Sequence, residues 1–261
     1  MFRCDKCQSS AIIYQKYSGK RLCQAHFDED VFRKVRENLR QTGLFGRGAR
    51  VALDLNGGIG SAVLAFVLKD TFRNRRDIDF VAIVIDEEDA RVESARLIAE
   101  RLEIPAVEKR LPSLLTPAEA CSIFDASPER KRKFLMALAQ EMGAGVLATG
   151  HNLDDEATDV FISYLRGELN GFLAPGYGIG EEGKIPWIKP LRRVPEKEIR
   201  LFAIKHGLGR SDTVLEDHFR IEAKRLLSEF DSRHPGTKYS LLRSQEKLFR
   251  HKSWGAAGQS L

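Results

Sequence analysis

Between Arg50 and Arg166 short apolar runs alternate with segments of helical periodicity, and this alternation constrains the fold more than any other feature of the chain. Arg50–Leu55, Asp79–Ile85 and Gly145–Leu147 read as buried strands, and a further strand fits around 106–111. Val63, Leu64, Phe66, Val67 and Leu68 follow the first run, and Val92, Ala95, Ala99 and Leu102 follow the second. Ahead of Gly145, Phe134, Leu138 and Met142 give an apolar face to a helix opened by Pro128. Behind Leu147, Ala157, Val160, Phe161, Tyr164 and Leu165 lie on one face of another helix. Alternation of this kind predicts an α/β fold: a parallel sheet of about five strands with helices on both faces.

Two polar turns follow such strands, at the sheet edge where open α/β sheets take ligands. Asn56-Gly-Gly-Ile-Gly-Ser61 joins the first strand to an apolar helix. A glycine-rich turn before a helix aims backbone N–H groups and the helix dipole at an anion, so Gly57, Gly58 and Ser61 are candidate phosphate ligands. The turn is neither a Walker A sequence nor a dinucleotide fingerprint. The second turn, Ala148-Thr-Gly-His-Asn-Leu-Asp-Asp-Glu156, gathers a Gly, a His, an Asn and two Asp before an amphipathic helix. It reads as a ligand turn or as a plain helix start favoured by Asp154 and Asp155. In a parallel sheet both turns converge on one crevice. Asp54 and Asn56, two apart on a strand, share a face there. Arg130-Lys-Arg-Lys133 adds a basic cluster, which equally suits a solvated helix face.

Cys4-x-x-Cys7 and Cys23-x-x-His26 supply four ligands at the spacing of a closed tetrahedral zinc site. The loop between the pairs carries Tyr14, Lys16, Tyr17, Lys20 and Arg21, a mixture that suits RNA contact or an ordinary module surface. A charged helix, Val31–Leu39, leads to a linker at Gly43, Gly46 and Gly48. The expected division is a zinc module with its lead-in helix at 1–45, the α/β domain at 46–210, and helices with a tail at 211–261. Pro186–Arg193 reads as an extended basic segment, with helices at 196–206, 217–232 and 238–250, loops at 112–128 and 168–182, and a frayed tail from Ser253. No apolar run approaches the ~18 residues of a membrane span, and the start has no signal-peptide core. A cytoplasmic protein is expected. The net charge of +5 permits an anionic partner.

The combined pattern resembles the PP-loop ATPases that thiolate tRNA, the tRNA 2-thiouridine synthetase group. The N-terminal Cys/His set, Gly57-Gly58 after the first strand, ATGHNLDDEA at 148–157 and KPLRRVPEKE at 189–198 carry the resemblance, with HPGTKYSLLRSQEKL at 234–248. It implies a Rossmann-like fold of the adenine nucleotide alpha-hydrolase type. It also implies ATP-dependent adenylation of a uridine carbonyl in tRNA, then displacement of AMP by sulfur. Gly57, Gly58 and Ser61 would hold phosphates, Lys131 would offset charge, and Gly150 would line the nucleotide. Asp155 would act catalytically at the metal or the α-phosphate. Cys4, Cys7, Cys23 and His26 would bind structural zinc. A sulfur-carrier protein or an active paralogue would be a partner, and family members commonly pair.

Two departures stand out. Asn56 and Gly60 replace the loop Ser and the metal-organising Asp of the family, which weakens the expected handling of Mg–ATP. Phe124 and Ser127 occupy the family's paired-cysteine positions, and Cys121 stands alone, so no iron–sulfur cluster is expected. No cysteine follows Cys121, and the family's C-terminal zinc module is not expected either. The alternative reading is a catalytically degenerate paralogue that binds nucleotide or tRNA as a regulatory partner. ATP-dependent base modification without sulfur is a third reading.

Overall fold

The computed structural model describes residues 2–86, 91–110, 128–168, 185–209 and 218–257. A hairpin of β1 (Ile13–Gln15) and β2 (Lys20–Leu22) leads into α1 (Gln24–Thr42). Then come β3 (Arg50–Asp54), α2 (Ile59–Thr71), β4 (Asp79–Asp86), α3 (Arg91–Arg101), β5 (Ala106–Arg110), α4 (Pro128–Glu141) and β6 (Val146–Ala148). The chain continues through α5 (Leu153–Arg166), β7 (Trp187–Ile188), α6 (Glu196–His206), α7 (His218–Arg233) and α8 (Thr237–Ala257).

Strands β3 to β7 form one parallel sheet in the order β5-β4-β3-β6-β7. The chain winds outward from β3 through β4 and β5, then returns to lay β6 and β7 on the other side. Winding reverses between β3 and β6. In a doubly wound sheet the crevice beyond the carboxyl ends of such a pair is the ligand site. Both polar turns leave the sheet there.

Period-two alternation sorts each strand between two cores. Val51, Leu53, Ala82 and Val84 join the buried faces of α1, α2, α3 and α6. Ala52, Val81, Ile83, Ile85 and Leu147 pack on Leu135, Leu138 and Ala139 of α4. Each large aliphatic side chain buried this way contributes about 1.5–3 kcal/mol, which fixes the register of both faces. A third cluster, Leu153, Ala157, Leu227 and Leu242, holds α7 and α8 against α5.

The N-terminal module is docked by a buried polar network. Glu198 is fully buried at the start of α6 and accepts from Gln15 Nε2 at 3.0 Å, Tyr17 Oη at 2.8 Å and Lys34 Nζ at 2.8 Å. Lys34 also pairs with Asp30 at 2.9 Å. Every lone pair and charge inside has a partner, the condition under which such a network stabilises.

Two expectations change. Pro186–Arg193 is not extended throughout: Trp187 and Ile188 add a two-residue edge strand beside β6, and the segment then turns, with Arg192 N–H donating to Lys189 O at 3.1 Å. The expected frayed tail is helical as far as Ala257, because no proline interrupts α8. The expected loops at 112–128 and 168–182 lie almost wholly outside the described residues, as do Cys121, Phe124 and Ser127. Among the described residues no helix is long and apolar enough to cross a membrane.

Candidate active site

The crevice begins at the turn after β3. Asn56 Oδ1 accepts from Gly58 N–H at 3.1 Å, and Ser61 Oγ donates to Gly58 O at 2.9 Å. No side chain caps the N-terminus of α2, so its first-turn N–H groups are left for an anion. Gly57 has φ +73°, and a Cβ there would lie 2.1 Å from the carbonyl oxygen of Arg91. Only glycine meets both conditions.

The second turn packs against the first by backbone alone. A Cβ on Gly60 would lie 2.6 Å from Gly150 O, and one on Gly150 would lie 2.6 Å from Ser61 N. Gly60, where the resemblance calls for a carboxylate, is therefore a contact residue with no space for a side chain. Asp54 and Asn56 line one small cavity of about 10 Å³ with Val84, Arg91 and Lys131, room for roughly one water molecule. Asp54 is thus in the crevice, in the company of two cationic side chains.

Of the candidate residues, Ser61 and Gly150 are in direct backbone contact, Gly57 and Gly58 form the adjoining turn, and Lys131 faces Asn56 across the cavity. Asp155 is placed differently. Asn152 caps α5 by accepting from Asp154 N–H at 2.8 Å and Asp155 N–H at 3.2 Å, while Asp155 Oδ2 accepts from Asn152 N–H at 3.1 Å. This is a reciprocal capping box. Lys224 of α7 lies 3.4 Å from the other Asp155 oxygen. Asp154 is buried, accepts from Glu196 N–H at 2.7 Å and pairs with Lys238. One carboxylate therefore ties the starts of α5, α6 and α8 together.

Sequence reasoning assigned no role to the layer beneath the turn. Trp187 Nε1–H donates to Thr149 Oγ1 at 3.0 Å, and that hydroxyl lies 2.9 Å from His151 Nδ1. With Trp187 as donor, the Thr149 proton goes to Nδ1 and His151 keeps its hydrogen on Nε2. Burial, then the Lys189 charge, hold the imidazole down to about 4, against Asp155 and Asp159, so it is neutral at physiological pH. Lys189 Nζ sits 4.4 Å and the Arg132 guanidinium 5.0 Å from the Trp187 ring centre. Below them Glu156, 2% exposed, meets Lys189 and Arg192, and Arg192 reaches Glu246 at 2.8 Å. Net burial raises the Glu156 carboxyl. Lys189 and Arg192 are thus internal counter-ions, which charge spacing along a sequence does not reveal; a Trp enclosed by prolines is the only local signal.

At the far end of the molecule the metal ligands converge. Cys4 Sγ and Cys23 Sγ lie 3.5 Å and 3.3 Å from His26 Nδ1, and Cys7 Sγ lies 3.5 Å from Cys23 Sγ. All four donor atoms fall within 4.8 Å of one another. Two metal–donor bonds at a tetrahedral angle span roughly 3.5 Å to 3.8 Å, so the residues fit a metal ion. Cys23 is the N-cap of α1, which returns His26 to its side one turn later. Burial raises the Cys4 thiol, but N–H groups of Cys23, Lys6 and Cys7 outweigh it and bring the pKa to about 6, toward the thiolate a metal requires.

Comparison with known proteins agrees with this geometry. Residues 3–28 match the family model described as "2-thiouridine synthetase TtuA, N-terminal LIM domain", and residues 28–213 match "PP-loop domain". The chain is 33% identical to the tRNA 2-thiolation protein NcsA of Haloferax volcanii over 94% of this chain and 86% of that one. It is 28% identical to the tRNA-5-methyluridine(54) 2-sulfurtransferase of Pyrococcus horikoshii, over 95% and 84%. Among solved structures, the U34-tRNA thiolase NcsA of Methanococcus maripaludis with its [4Fe-4S] cluster superposes with TM-score 0.82 at 28% identity, covering 96% of this chain and 88% of that one.

That last structure corrects the cofactor expectation of zinc, weakened Mg–ATP and no iron–sulfur cluster. A cluster-bearing thiolase shares the fold along nearly the whole chain, so the expected absence of a cluster does not stand. The physical reason lies in the ligand count. It took in only the α/β unit around Cys121 and set aside the three thiolates and one imidazole of the N-terminal module, donor types that serve iron–sulfur centres as well as zinc. With a PP-loop model matching more than half its length and a relative at 33% identity aligned over 94% of it, the chain belongs to the PP-loop family and carries the N-terminal domain of its 2-thiouridine synthetases.

Proposed function

We propose that this protein adenylates a uridine in tRNA and readies it for sulfur transfer. The observation that carries the reading is the backbone contact of the Gly57–Ser61 turn with the Gly150–Asp155 turn at the β3/β6 switch point. The likeness to tRNA 2-thiolation proteins supports the substrate.

In the reaction the uridine C2 oxygen attacks the α-phosphorus of ATP and the bond to pyrophosphate breaks. A sulfur nucleophile then attacks C2, and the C–O bond to AMP breaks. Gly57, Gly58, Ser61 and the uncapped start of α2 hold the departing pyrophosphate. Lys131 offsets its charge, Gly150 lines the nucleotide, and Asp155 serves the α-phosphate or its metal from the capping box. His151 offers Nε2–H as a neutral donor. Cys4, Cys7, Cys23 and His26 hold a metal that orders the N-terminal module. The sulfur donor is a carrier protein or an active paralogue. The protein works in the cytoplasm, as the name of its nematode relative, "Cytoplasmic tRNA 2-thiolation protein 1", suggests, and pairs with a second copy.

Gly60 favours a second reading, since the family carboxylate is absent and has no space: a partner that binds tRNA without turnover. AMP and pyrophosphate release from Mg–ATP, with and without bulk tRNA, decides between them. RNA-stimulated AMP supports the enzyme. No AMP with tRNA binding retained assigns the chain to the binding role.

A further inference from the structure

A cleft of about 360 Å³ opens where the N-terminal module meets the C-terminal helices, within the roughly 300–1,000 Å³ of small-molecule sites. It shares no lining residue with the Asp54–Lys131 cavity. Tyr17 and Tyr239 form part of its wall, with ring centres 4.8 Å apart and planes tilted by 45°. Their polar ends are engaged on the protein side: Tyr17 Oη donates to Glu198 at 2.8 Å and Tyr239 Oη donates to Arg193 O at 3.0 Å. What the rings offer the cleft is carbon and a π face.

The charges around the cleft are unevenly spent. Lys238 is paired with Asp154, and Arg200 with Glu196 at 2.6 Å. Asp231 accepts from the N–H groups of Gly236 at 3.1 Å and Lys238 at 3.3 Å. Lys16 and Lys197 are exposed and have no acidic partner among the described residues. Aromatic carbon inside and unspent cations outside match a planar base carrying a phosphate.

We propose that this cleft binds one unstacked nucleotide, its base against Tyr17 and Tyr239 and its phosphate between Lys16 and Lys197. The proposal rests on the RNA reading above, and the nucleotide belongs to a single-stranded part of the tRNA. Leu153 and Asp154, which line the cleft, begin the helix whose preceding turn packs on the PP-loop. An RNA strand anchored there therefore bears on the wall of the crevice.

The test compares the full chain with a Lys16→Glu/Lys197→Glu variant, whose exposed sites leave folding intact, checked by thermal melting. Filter binding of bulk tRNA over a salt series is expected to show affinity reduced tenfold or more, with the salt slope lowered by about 2. ATP affinity by calorimetry stays unchanged. 4-Thiouridine-substituted RNA is expected to photocrosslink to the peptide holding Tyr17 or Tyr239. Displacement by UpUpU but not AMP assigns an RNA strand; equal displacement by AMP overturns that source in favour of a free mononucleotide. Unaltered tRNA binding by the variant overturns the cleft and leaves the proposed function standing. Failure of the unaltered chain to bind tRNA overturns both.

Discussion

Replacing Gly60 by Asp restores the carboxylate that other PP-loops carry, and its expected effect is damage. The new Cβ lies 2.6 Å from the Gly150 carbonyl oxygen, and ordinary contact begins at 3.4 Å, so the two turns must part by about 0.8 Å. Neither atom is the end of a flexible side chain, so the strain falls on backbone at the switch point of the sheet. Overpacking of this kind costs about 1–3 kcal/mol, which in a chain of this size lowers Tm by roughly 3–10 °C. The crevice widens by the same displacement, and a misplacement near 1 Å can cost about a hundredfold in rate. Gly60→Asp is therefore expected to melt lower and bind ATP more weakly than the parent, by differential scanning calorimetry and isothermal titration. An unchanged Tm with ATP hydrolysis gained would refute the reasoning, because it would show that position 60 has room and that only the charge is missing.

Cys23→Ala is expected to lose the N-terminal metal, read as one ion fewer per chain by elemental analysis, and to expose the module to protease. Glu156→Ala leaves Lys189 and Arg192 buried without their carboxylate and is expected to cost about 3–5 kcal/mol by urea unfolding, with Glu156→Gln milder. Asp30 adds a pH dependence. Burial raises its carboxyl, but Lys34, Gln15 and Arg33 together bring it from 3.8 to about 2. The folded pKa is depressed, so the stabilisation is present above pH 4 and lost as pH falls toward 2. It amounts to about 2 kcal/mol, and Asp30→Asn is expected to flatten that limb of the stability–pH curve. Nitrogen-detected NMR of His151 is expected to show the Nε2–H tautomer down to about pH 5. Protonation near pH 6.5 would contradict the Thr149–Trp187 relay.

The sheet was legible because its code is local. Val51, Leu53, Val81 and Ile83 announce strands by period-two burial, and the glycines after Leu55 announce the turn. Convergence of the two turns followed from parallel topology alone. Partners distant in sequence were not legible. Lys189 and Arg192 read as part of a basic stretch because a sequence shows charge and not its counter-ion; Glu156 and Glu246 meet them only in the fold. Tyr17 read as an RNA contact or module surface, and its hydroxyl is bonded to Glu198. Trp187 and Ile188 escaped notice because two residues carry no periodicity. Asp155 fits both of its readings at the level of sequence, and the capping box is visible only as paired hydrogen bonds.

The docking network has a consequence for synthesis. Gln15 and Lys34 meet Glu198 across 183 and 164 residues of chain. At roughly 5–20 residues per second, the module leaves the ribosome about ten to thirty seconds before its docking carboxylate does. Through that interval Lys34 and Tyr17 have no Glu198, and the hairpin is too small to fold on its own core. The four metal ligands, complete by residue 26, are local enough to close first. Metal supply during translation, and not only in the finished protein, then sets how much of the chain reaches its folded form.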